Sequence, residues 1–170
     1  MAAKVVRAAS DGGKALVKRV LDVVILYEDI GTALRAKHSL DLLRGQLSAE
    51  AGWSTKLWRL DLLGEPLLAE RAAIEAAAAD VIILSLHSRN ELRVEARNWL
   101  SRWLDYKETR PYALAALLDP EPVQPGSDNP VVDFLKRVAE VAHADLFFGF
   151  CNAPVLMPGS SAREIKERAR

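Results

Sequence analysis

"LDVVILYEDIGTALRAKHSLDLL", residues 21–43, decides the fold. After its leading aspartate, the run over residues 22–27 is continuously apolar and rich in β-branched residues. That is the pattern of a strand covered on both faces. Glu28 and Asp29 close it, Gly31 and Thr32 make a turn, and a helix is predicted over residues 32–50. Ala36, Leu40, Leu43 and Leu47 recur at helical spacing, while Arg35, Lys37, Asp41 and Arg44 take other faces. Gly52 is expected to end that helix. In doubly wound proteins the turn between such a strand and helix is where phosphates or cations are often held.

Working outward, the same alternation continues. A second strand is predicted over residues 55–60, where Lys56, Trp58 and Arg59 suit the edge of a sheet. Pro66 opens an alanine-rich helix to residue 79, and "DVIILSL" from residue 80 is a third strand. Helix three is expected over residues 90–108, with Leu92, Ala96, Trp99, Leu100 and Trp103 inside; Ser88 with Glu91 has capping-box spacing, and Asn90 is a second cap. Residues 112–118 form strand four. The segment "DPEPVQPGSDNP", residues 119–130, carries four prolines and excludes both helix and central strand. Asn129 caps a helix that Pro130 opens, with Val131, Phe134, Leu135, Val138 and Ala142 facing inward. Strand five spans residues 145–150, and Ser161 with Glu164 caps a short last helix. Five strands alternating with helices imply an α/β protein: three layers around a doubly wound, five-stranded parallel sheet in the order 2-1-3-4-5.

Composition bounds the rest. The 170 residues carry 23 basic and 23 acidic side chains, so net charge is zero and nothing favours nucleic acid. The basic residues Lys4, Arg7, Lys14, Lys18 and Arg19 mark residues 1–19 as a flexible leader before a single domain over 20–170. One cysteine, Cys151, permits no intramolecular disulfide and fits a cytoplasmic protein. No apolar run is long enough for a bilayer. The Gly-rich nucleotide loops, the His and Cys pairs of metal sites and the Gly-x-Ser-x-Gly elbow of hydrolases do not occur.

The whole pattern from residue 20 to residue 150 resembles the flavodoxin-like superfamily, which includes flavodoxins, flavin reductases and response-regulator receiver domains. The resemblance implies a pocket beyond the carboxyl ends of strands one and three. Glu28, Asp29, Gly31 and Thr32 would line it from the first loop, and Ser85, His87, Ser88 and Asn90 from the third, with Asp119 beside them. Glu28 and Asp29 resemble the acidic pair with which receivers hold magnesium, but "ILSLHS" supplies no acid where receivers accept phosphate. Strands four and five end in Asp119 and Phe150 rather than in the receivers' Thr or Ser and Lys. That implies a degenerate receiver-like module, a non-catalytic binding or regulatory domain. The alternative is an FMN-binding reductase or electron carrier. Gly31, Thr32 and the helix start would take the phosphate, and "VEARNWLSRWL" is similar to the helix after strand three in FMN reductases. A third reading is a small hydrolase or transferase using His87 with Asp29 or Asp119. The four tryptophans add one more expectation: a protein partner, or a second copy of the chain, at the edge strand near Trp58, unless helices cover Trp53 and Trp58.

Overall fold

The computed structural model describes residues 20–46, 52–87, 91–108, 110–119 and 129–150. The basic leader, Ser88, Asn90, the prolines of the long turn before Asn129, Cys151 and the last short helix lie outside the described residues. The elements are β1 Val20–Tyr27, α1 Ile30–Gln46, β2 Gly52–Arg59, α2 Pro66–Ala77, β3 Val81–Leu86, α3 Val94–Tyr106, β4 Tyr112–Leu118, α4 Pro130–Ala142 and β5 Ala144–Phe150. The strands pair in parallel in the order β2-β1-β3-β4-β5, as expected from the alternation.

Because side chains alternate along a strand, each strand feeds both faces of the sheet. Val24 and Leu26, Ile82, Leu84 and Leu86, and Leu114, Ala116 and Leu118 point to the larger core, under α2, α3 and α4. Val23, Ile25, Val81, Ile83, Ala113 and Phe147 point to the smaller one, where α1 contributes Ala36 and Leu40. The alanines of α2 allow close approach: Ala69, Ala72, Ala73, Ala76 and Ala77 are all buried. Trp99 and Trp103 stack one helical turn apart at 6.3 Å, and Trp103 meets Tyr112 of β4 edge-on at 5.9 Å.

Most boundaries shift by a few residues from the sequence expectation, and three differences bear on the local structure. Gly52 does not end α1; it is the first residue of β2, opposite Val20. A Cβ there would come within 3.1 Å of Val20 Cγ2, so the glycine serves a close strand approach. α3 begins at Val94 rather than at residue 90, and its cap position, Arg93, makes no side-chain cap bond. Glu91 therefore lies before the helix. Between β2 and α2 a short 3-10 helix, Leu60–Gly64, escaped the reading. Its i, i+3 geometry turns Leu60 and Leu63 into the core together.

Asn129 caps α4 as expected, its side chain accepting from Val131 N at 2.9 Å and Val132 N at 3.4 Å. Asn129→Ala is expected to lower the unfolding free energy by about 1 kcal/mol, with Asn129→Asp close to wild type, in urea titrations. Equal stability of all three proteins would show the cap to be idle. No described helix is long and apolar enough to cross a membrane.

Candidate functional site

The carboxyl ends of β1, β3 and β4 bring six of the expected residues together. The turn after β1 is only Glu28 and Asp29, since α1 starts at Ile30. Asp29 caps the helix: its Oδ1 accepts from Thr32 N at 2.9 Å. Thr32 answers, its Oγ1 accepting from Asp29 N at 2.9 Å and Glu28 N at 3.0 Å. These are the reciprocal bonds of a capping box, with threonine in place of the usual Glu or Gln at the third helical position. Gly31 is on the exposed side of the same turn.

His87 follows β3 and stands between two carboxylates. Its Nε2 lies 2.8 Å from Asp29 Oδ2 and its Nδ1 2.6 Å from Asp119 Oδ2, beyond the end of β4. Its backbone N–H donates to Glu28 Oε2 at 2.7 Å. The hydrogen bonds to Asp29 and then Asp119 raise the His87 pKa above 6.5 against the effect of burial. Asp29 is held down to about 2, first by the Thr32 backbone N–H and then by His87. Burial pushes Asp119 up, but the bonds from His87 and Arg35 outweigh it and leave it below the ordinary carboxylate value.

Arg35 was read as an outward residue and is the main correction. Its side chain is only 11% exposed and reaches from α1 across the end of the sheet. Nε donates to Ser85 Oγ at 3.0 Å, and Nη2 donates to Leu86 O at 2.7 Å and Leu117 O at 3.0 Å. Nη1 donates to Asp119 Oδ1. Ser85, fully buried, donates in turn to Thr32 O at 2.8 Å. The signal was present in the sequence. Arg35 lies three residues after Thr32, on the inner stripe of Thr32, Ala36 and Leu40, and both of its small neighbours leave room for a guanidinium.

This geometry limits the chemistry. Both His87 nitrogens face carboxylates, so no lone pair is turned to a substrate. Ser85 is buried with its hydroxyl engaged on both sides, so it is not placed as a nucleophile. The carboxylates approach His87 from opposite sides of its ring and cannot meet on one ion, and no cluster fit for a metal occurs among the described residues.

The tryptophans of the edge strand are covered. Arg44 of α1 lies over the Trp53 ring at 5.6 Å. Trp58 packs on the larger core, and its Nε1 donates to Glu75 of α2 at 3.0 Å.

No protein-family model matches the chain, and no curated protein does. Solved structures do. An oxidoreductase from Corynebacterium diphtheriae is 14% identical over 88% of this chain and 91% of its own, at a TM-score of 0.54. Smu.1420 from Streptococcus mutans is 10% identical over 88% and 96%, at 0.50. The two-electron reduced flavodoxin of Megasphaera elsdenii is 14% identical over 86% and 97%, at 0.49. The fold is flavodoxin-like. In a flavodoxin-like fold the switch point lies between β1 and β3, and that is where Asp29, Arg35 and His87 converge.

Proposed function

We propose that this flavodoxin-like domain is a binding or regulatory module that does not hold a flavin phosphate at its first loop. The start of α1 carries the reading. A phosphate there needs open backbone N–H groups and a positive field. Here Asp29 and Thr32 occupy the N–H groups of Glu28, Asp29 and Thr32, the loop is two residues long, and the carboxylates of Glu28, Asp29 and Asp119 border it. The residues of this turn do not fit the phosphate of FMN.

A flavin remains the second reading, because the solved neighbours include flavodoxins and an oxidoreductase, and general stress protein 14 of Treponema denticola was solved with FMN. Those neighbours lend the flavin reading more than they lend a receiver kinship. The partner contact of the module is assigned to the outer edge of β2. Among the described residues no strand pairs there, and Leu57 is half exposed while Trp58 is packed away.

Adding FMN to the purified chain while following flavin fluorescence is expected to give no quenching, and the preparation is expected to be colourless. A yellow preparation, or saturable quenching at micromolar FMN, would overturn the first reading in favour of the second.

A further inference from the structure

A neutral imidazole has one N–H, and His87 offers each ring nitrogen to a carboxylate oxygen at 2.6 and 2.8 Å. Both contacts are hydrogen bonds only when the ring carries two protons. The three groups stand on three separate pieces of the fold: Asp29 at the cap of α1, His87 after β3, Asp119 after β4. A second cation, Arg35, fixes α1 to the ends of β3 and β4 independently of His87. We propose that the His87 imidazolium is a proton-operated clasp between the first loop and the ends of β3 and β4, whose Asp29 side opens when the proton leaves.

The charged groups facing the ring among the described residues are few. Glu28 and Asp29 come from the turn after β1, Asp119 from the end of β4, and Arg35 from α1 through Asp119. Once the ring is neutral, its remaining N–H stays with the carboxylate that water serves least well. The Asp119 side chain is 40% exposed and that of Asp29 56%, so Asp29 exchanges the ring for water more cheaply. Arg35 donates to Asp119 from α1 and keeps it in place. Opening therefore leaves Glu28 and Asp29 as an acidic pair without its imidazolium, at the edge where the flavodoxin-like fold puts its ligands.

The pH window follows from the two shifts. His87, raised above 6.5, contributes fully below 6.5, and its contribution is lost as pH rises through the raised value. Asp29, lowered to about 2, contributes fully above 3.8 and loses its contribution as pH falls through about 2. The clasp is closed between those limits, and it opens on the alkaline side. Its existence does not depend on which ligand binds nearby.

An NMR titration of the full chain tests it, following the His87 ring together with the amides of Thr32 and Leu114. The ring is expected to titrate above 6.5. The Thr32 amide, bonded to Asp29, should move with the same midpoint, while Leu114 in the middle of β4 stays flat. In Asp29→Asn the His87 midpoint should fall by about one unit, a tenfold weaker hold on the proton. A His87 midpoint at or below 6.5, or a Thr32 amide that ignores it, overturns the clasp. If Asp29→Asn fails to fold, the wild-type titration alone still decides.

Discussion

Arg35→Ala is expected to lower the free energy of unfolding by about 3 kcal/mol, the upper end of the cost of leaving buried acceptors without their donor. The guanidinium is nearly buried and satisfies Ser85, two backbone carbonyls and Asp119 at once. Its loss leaves the Ser85, Leu86 and Leu117 oxygens without that donor beneath α1 and removes one of the partners of Asp119, and buried acceptors cost more unpaired than they return paired. Arg35→Lys should recover less than half of the deficit, because one ammonium cannot span a fork of four acceptors. Guanidinium denaturation of the three proteins measures this directly. A loss below about 0.5 kcal/mol, as for an ordinary surface arginine, would mean that Arg35 does not anchor α1.

Trp103→Ala is expected to cost a similar amount, about 3–5 kcal/mol. The ring is fully buried, stacked on Trp99 and set edge-on to Tyr112, whose hydroxyl donates to Ala77 O at 3.0 Å. Alanine would open a cavity where α3 meets β4. Trp103→Phe should lose much less. The indole Nε1 has no hydrogen-bond partner among the described residues, so packing supplies the ring's worth. Thermal unfolding separates the two variants. If phenylalanine is as harmful as alanine, the ring is held by a polar contact and not by its fit.

The sequence made the strand order legible and the site only half so. β1 and β3 carry continuous apolar runs because helices cover both of their faces, and β2 is mixed because it is the edge. From that order, the positions after each strand follow, which is why Glu28, Asp29, Thr32, Ser85, His87 and Asp119 could be picked out together. Arg35 was not legible, because on a helix a lone arginine reads as solvated unless the small size of its neighbours is weighed. Gly52 misled for the opposite reason. A glycine after a helix usually marks its end, whereas here the lack of a side chain admits Val20 of the adjoining strand.

The two faces of the sheet are fastened by different means. α2, α3 and α4 cling through alanine, leucine and tryptophan surface, whereas α1 buries only Thr32, Ala36 and Leu40 and relies on Arg35 and its acceptors. Apolar attachment weakens on cooling, because its driving force near room temperature is the entropy of water; a guanidinium bonded to carbonyls and a carboxylate has no such dependence. Chilling the molecule therefore weakens the attachment of α2, α3 and α4 more than that of α1, which buries the fewest apolar side chains among the described helices.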